Sequence, residues 1–286
     1  MTFRTDLAVE CMENVAEESP GIRCEESAFG QVSVSRIRVH SPEGSRTLGR
    51  PQGCYVTVEV PPFSDEIGGD DVVTVLTREL RQLLDIDGTV LVVGLGNTAI
   101  TPDSLGPKVA NRVLATRHIS DEVAKSTGLE DLRKVAVLAP GVLGQTGVET
   151  GEILCGVVDR IRPSAVIVVD ALASRRLSRL GCTVQMSDTG IAPGSGVGNL
   201  RMKIDASTLG IPVVSIGVPT VVDAVTLAYD LTGQDCLEYV EPRGAHMIVT
   251  PQEIDLLIDR AAATVAHAIN CALQPNMDPD VLLALV

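Results

Sequence analysis

Two aspartates in this 286-residue chain stand where an α/β sheet does chemistry. Asp103 follows the run VLVVGLGNTAITP, and Asp170 closes the run AVIVVD. Both runs are short, apolar and rich in Val and Ile, as strands covered on two faces are. In an open α/β sheet, ligands meet the carboxyl ends of the strands. If the two strands are neighbours, both carboxylates face one crevice. Two carboxyl groups at close range do not both ionise cheaply, so one holds a proton near neutral pH. Such a pair can activate a water and protonate a leaving amine. Each residue also has a plainer reading. Asp103 sits between Pro102 and Ser104 and fits a turn residue or helix N-cap. Asp170 fits an N-cap or an ion-pair partner of Arg175 or Arg176. Residue types alone leave both readings open.

Other chemistries fit less well. Gly94-x-Gly96-x-x-Ala99 matches the wording of a dinucleotide fingerprint. That turn must open directly into a long helix, yet Pro102, Gly106 and Pro107 interrupt the register, and no strand leads to an acidic residue about 20 positions on. No phosphate-loop GxxxxGK[ST] occurs, and Lys108 is not placed to serve as its lysine. Ser104 and Ser195 have no His nearby in sequence, which argues against a serine triad. The seven cysteines include no CxxC pair and read as reduced thiols, several of them small core residues. His40, His118, His246 and His267 lie away from both aspartate motifs, so no metal site is expected. The loop carrying Gly190, Gly194, Gly196 and Gly198 can lie against an extended substrate backbone, because glycine permits close approach, or can serve as a structural loop.

The elements that must position these residues follow a βα rhythm. Helical spacing covers Asp70 to Asp85, and a strand runs from Thr89 to Val93. A helical stretch spans Gly106 to Ala115, a strand Lys134 to Leu138, and a helix Thr150 to Ile161. Strands follow at Ala165–Val169, Cys182–Met186 and Ile211–Gly217, then a helix over Val222–Leu231. A last helix, Pro251 to Leu273, keeps Ile254, Leu257, Ile258, Ala261, Val265 and Ile269 on one face. Alternation of this kind predicts an α/β fold with a mostly parallel sheet covered by helices on both faces. QVSVSRIRVH and CYVTVEV alternate apolar and polar residues and predict a small antiparallel β excursion before the main sheet, with SPEGSRTLGRPQG as its turn. Residues 1–30, rich in Glu, read as a surface arm.

Composition narrows the partners. A net charge of -14 opposes a nucleic-acid or anionic-membrane surface, and 2% aromatic residues oppose base stacking. With 45% apolar residues the chain can build a large core from Val, Leu, Ile and Ala. Neither a signal peptide nor an uninterrupted apolar run of bilayer length is visible, so a soluble cytoplasmic protein is expected.

Four motifs taken together, GNTAITPDSLGP, VIVVDALASR, TGIAPGSGVGN and VPTVVDAV, with the N-terminal RTDLAVE, resemble the germination protease family. These are endopeptidases of spore-forming bacteria that degrade small acid-soluble spore proteins. The resemblance runs from Arg4 to the C-terminal helix. It implies an atypical aspartic-type peptidase whose essential aspartates are Asp103 and Asp170, with no cofactor. It implies a zymogen that trims itself between Asp6 and Leu7, leaving residues 7–286 as a single peptidase domain after a pro-segment of residues 1–6. That pro-segment is shorter than the family pattern leads one to expect. The segment from Leu227 to His246 is also shorter than in many members. The resemblance further implies small acid-soluble spore proteins as substrates, a homotetramer, and a place in the forespore or spore core. The family's fold is related to that of the hydrogenase-maturation endopeptidases, which hold nickel. A nickel-dependent endopeptidase of that kind is one alternative, and a catalytically silent binding protein of the same fold is another.

Overall fold

The computed structural model describes residues 5–13, 15–16, 19–65, 69–84, 87–127, 129–194, 201–234 and 247–286. Among the described residues, nine strands form one sheet: β1 (Ile22–Phe29), β2 (Val32–Val39), β3 (Gly53–Glu59), β4 (Val90–Gly94), β5 (Val135–Leu138), β6 (Ala165–Ala173), β7 (Thr183–Ser187), β8 (Val213–Asp223) and β9 (Ile248–Val249). Their order is β1-β2-β3-β7-β8-β6-β4-β5, with β9 paired to β8 off this path. The chain is α/β, as the βα rhythm predicts. Strands β5, β4, β6 and β8 are mutually parallel. The predicted excursion is the antiparallel half of the same sheet: β7 runs against β8 and joins it to β3, β2 and β1. The parallel part is therefore narrower than the alternation of strands and helices suggests. The strand that makes the join, Thr183–Ser187, carries no signal of its direction.

Helices cover both faces. On one, Gly69–Leu83 and the long helix Ile254–Leu273 pack on alternate residues of the strands, including Val34, Val58, Val90, Val92 and Met186. On the other, Thr150–Ile161 and Ala206–Leu209 cover Leu91, Val93, Val166 and Val168. The short helices Ala8–Met12 and Pro42–Leu48 cover Ile37, Val39 and Tyr55 on that second face. Helix Ile254–Leu273 has the length and apolarity of a membrane span, but 61% of its apolar window is buried inside the protein.

Three local expectations change. Residues 22–29, read as part of an arm, form edge strand β1, which is mostly exposed and therefore lacks apolar alternation. SPEGSRTLG is a capped helix as well as a turn: the Ser41 hydroxyl accepts the Gly44 amide, Pro42 opens the helix, and Gly49 closes it at φ 71°. Strand β8 runs on through Asp223, and the following helix is Ala224–Thr232, capped by the Asp223 carboxylate.

Candidate active site

Strands β4 and β6 are parallel neighbours, with Gly94 opposite Val169, so their carboxyl ends lie side by side. The Leu95 amide continues the ladder by donating to the Val169 carbonyl at 2.8 Å. Asp170 is the next residue on β6. It lies inside the strand, which extends to Ala173, so it is neither a strand-end nor a helix-cap residue. Its side chain is 6% exposed, and Oδ1 accepts the Ala171 amide at 2.9 Å. The arginines proposed as partners point to other acids, Arg175 to Glu13 and Arg176 to Glu13 and Asp230.

Asp103 reaches the same place from the β4 side. It ends the single turn Thr101–Asp103, one residue before the Ser104 cap of helix Leu105–Ala110. Its carboxylate accepts the Asn97 amide at 2.8 Å, and its own carbonyl accepts that amide at 3.1 Å. The side chain therefore staples its own loop and does not cap the helix. Two glycines make this turn fit. A Cβ on Gly96, at φ 122°, would sit 1.9 Å from the Asp103 carbonyl oxygen, and one on Gly106 would sit 2.2 Å from the Leu95 carbonyl oxygen. The buried Thr220 of the VPTVVDAV motif donates to the Pro102 carbonyl at 2.8 Å and ties the loop to β8.

Asp103 and Asp170 line one cavity of about 410 Å³. Burial pushes the Asp170 carboxyl well above the usual carboxylate range, and the charges of Asp103 and Asp6 add to the push. Burial also raises Asp103, but the Asn97 amide opposes it by stabilising the anion. The environments separate the two groups. Asp170 retains its proton to higher pH, and Asp103 is the more readily ionised. The pair can therefore supply an acid and a base to one bound bond.

Asp6, a third acid, lines the same cavity. Its backbone amide donates to the Ala173 carbonyl at 2.9 Å, and its carboxylate accepts the Ala173 amide at 2.9 Å. Leu7 is fully buried. Glu10, read from sequence as part of a solvated arm, is 1% exposed, and its carboxylate accepts the amides of Arg175 and Arg176 at 2.7 and 2.8 Å. Thr5 donates its hydroxyl to Glu10 and accepts the Leu7 amide at 3.0 Å. Residues 5–10 of the RTDLAVE motif thus dock onto the end of β6, Asp6 by its own backbone amide. A polar residue at every third or fourth position of an apolar helix start gives no warning of such burial.

Gly194 lines the cavity of the aspartates, and Gly190 lines an adjoining one of about 280 Å³. Gly190, at φ 73°, lies against the Ile204 carbonyl, and reciprocal bonds between Ile191 and Ile204 close the base of the loop, so its first glycine is structural. Gly196 and Gly198 lie outside the described residues, as does His246. Among the described residues no three His, Cys, Asp or Glu side chains are grouped to hold a metal ion. Two residues of the site carry no sequence signal: Arg50, whose Nη2 donates to the Thr5 carbonyl at 2.7 Å, and Gln185 on β7, whose amide contacts Asp6 and Ala8; Asn97, whose backbone amide binds Asp103, belongs to the GNTAITPDSLGP motif.

Comparison with known proteins agrees with these motifs. Residues 4–240 match the family model described as germination protease. A germination protease of Caldanaerobacter subterraneus is 42% identical, over 96% of this chain and 95% of its own length. One from Clostridium perfringens is 40% identical over 96% of both chains, and one from Bacillus licheniformis is 35% identical over 97% of this chain and 95% of its own. Among solved structures, a NiFe hydrogenase maturation protease from Thermococcus kodakarensis aligns with a TM-score of 0.39 at 18% identity, over 68% of this chain and 98% of that one. With matched motifs from the N-terminal segment to β8 and full-length relatives above 30% identity, this chain belongs to the germination protease family.

Proposed function

We propose that the protein is an endopeptidase that opens the degradation of small acid-soluble spore proteins during germination, and that it is made as a zymogen trimmed between Asp6 and Leu7. The observation that carries this reading is the placement of Asp6 in one cavity with Asp103 and Asp170. Asp6, from the chain's own N-terminal segment, is bonded to Ala173 at the end of β6 and lines the cavity that a peptide substrate would enter.

In the reaction, ionised Asp103 takes a proton from a water as its oxygen attacks the scissile carbonyl carbon. Protonated Asp170 then gives its proton to the departing nitrogen, and the C–N bond breaks to leave a carboxylic acid and an amine. One water is consumed, and proton exchange with solvent resets the pair. Burial and the neighbouring acids that hold a proton on Asp170 support its role as the acid. Assembly as a homotetramer in the spore core belongs to the same proposal, and light scattering of the purified chain checks the tetramer.

The test is incubation with a purified small acid-soluble spore protein, with fragments and the chain's own N-terminus read by mass spectrometry. Discrete fragments and loss of residues 1–6 are expected, unchanged by a chelator. Intact substrate and an intact N-terminus would leave the fold as that of a silent binding protein.

A further inference from the structure

The N-terminal segment that brings Asp6 into the cavity of the two aspartates is also held by one uncharged side chain. Gln185 lies on β7 between Val184 and Met186, which face the core under helix Ile254–Leu273. Alternation therefore turns Gln185 to the other face of the sheet, where the N-terminal segment runs. Its Nε2 donates to the Asp6 carbonyl oxygen at 2.9 Å, and its Oε1 accepts the Ala8 amide at 2.5 Å. One amide group thus straddles the Asp6–Leu7 bond, with its donor end on the carbonyl of that bond. Asp6 lines both the 410 Å³ cavity of the aspartates and the adjoining 280 Å³ cavity that Gln185 lines. The cavity of the aspartates and the cavity of Gln185 therefore meet at this residue.

The residue type fits the task. During attack, negative charge builds on the carbonyl oxygen, and a fixed N–H donor aimed at it lowers the barrier. A glutamine supplies that donor without a charge. A lysine there would add a cation beside three carboxyl groups and favour their ionised forms, Asp170 included, which the acid step requires protonated. A glutamate would meet the developing anion with another anion. The segment has other anchors, since Arg50 holds the Thr5 carbonyl and Ala173 holds Asp6 through two bonds, so binding does not depend on Gln185 alone.

We infer that Gln185 is a catalytic residue, the donor that holds the scissile carbonyl oxygen and stabilises the charge formed there. It does so for the chain's own Asp6–Leu7 bond and for a substrate peptide that later takes the same track. This rests on the proposed cleavage of Asp6–Leu7.

The experiment uses the full chain and its Gln185→Glu and Gln185→Ala variants. It reads the first-order rate of N-terminal trimming, and kcat and KM for a synthetic peptide of residues 4–10. Gln185→Glu keeps the acceptor for the Ala8 amide and has the same shape, but as a carboxylate it cannot donate to the Asp6 carbonyl. Both variants are expected to lose about 10²- to 10³-fold in kcat and in the trimming rate, with KM changed less than about tenfold. Acidification that protonates the introduced carboxylate returns a donor, so the deficit of Gln185→Glu against wild type should narrow as pH falls. Melting curves confirm that Gln185→Glu is folded if Gln185→Ala is not. Wild-type kcat in Gln185→Glu, or a rise in KM alone, overturns the inference and makes the residue a clamp, with the proposed peptidase intact. A wild-type chain that cuts neither the peptide nor itself overturns the peptidase reading, and this inference with it.

Discussion

Asp6 and Ala173 exchange two hydrogen bonds, one from the Asp6 amide to the Ala173 carbonyl and one from the Ala173 amide to the Asp6 carboxylate, both at 2.9 Å. That exchange docks the N-terminal segment on the end of strand β6 and places its acid in the field of Asp170. Removing the Asp6 charge removes part of what keeps Asp170 protonated. Asp6→Asn should therefore shift the titration of the Asp170 carboxyl to lower pH, as followed by carbon-detected NMR. An unchanged or raised titration point would show that Asp6 and Asp170 do not sense each other.

Burial of Asp170 also sets a pH dependence of stability. Its carboxyl is raised in the folded state relative to the unfolded chain, so its favourable contribution is complete below the unfolded value of about 3.9 and is lost as pH rises through the folded value. Asp170→Asn removes the ionisation. It should stabilise the protein at pH 7.5 by about 1–3 kcal/mol, the scale of leaving a buried polar group poorly solvated. The gain should shrink toward pH 4. Urea melts at the two pH values check this, and a variant less stable than wild type at pH 7.5 would contradict it.

Glu10 anchors the segment through two backbone amides. Glu10→Ala leaves the Arg175 and Arg176 amides without that partner and frees Thr5. A loss of about 2–3 kcal/mol is expected in urea melts, with slower N-terminal trimming because one of the segment's anchors is gone and Asp6 is held by Ala173 and Gln185 without it. An unchanged trimming rate in the folded variant would separate docking of the segment from cleavage.

Gly96 tests the position of Asp103. Alanine there meets the Asp103 carbonyl at 1.9 Å in a backbone conformation that disfavours side chains. The backbone strain alone costs about 1–3 kcal/mol. A shift of about 1 Å in the carboxylate is expected to lower kcat about 10²-fold. A Gly96→Ala protein with wild-type kcat would mean that the turn tolerates displacement and that Asp103 need not be held by it.

Much of this arrangement is legible in the sequence because it is local. The runs Thr89–Val93 and Ala165–Val169 announce themselves as buried strands, although the extension of β6 past Asp170 to Ala173 does not, and the glycine and proline breaks after Gly94 argue against a nucleotide turn. Ser41, Pro42 and Gly49 read as turn residues, and the helix they bracket, Pro42–Leu48, shows only in the structure. The rest is not legible because it depends on pairing between distant segments. Nothing in TVQMS states that it runs antiparallel to β8 and joins the N-terminal strands to the main sheet. Without that join, Gln185 has no reason to meet Asp6, 179 positions away. Glu10 looks like a solvated charge until the amides after β6 are placed above it.

The paired-carboxylate account is tested most directly by incubating a purified small acid-soluble spore protein with the wild-type, Asp103→Asn and Asp170→Asn chains and reading all N-termini by mass spectrometry. The expected result is discrete fragments and loss of residues 1–6 with wild type, and neither with the two variants, whose circular dichroism stays that of the folded protein. A fully active Asp103→Asn chain would contradict the account.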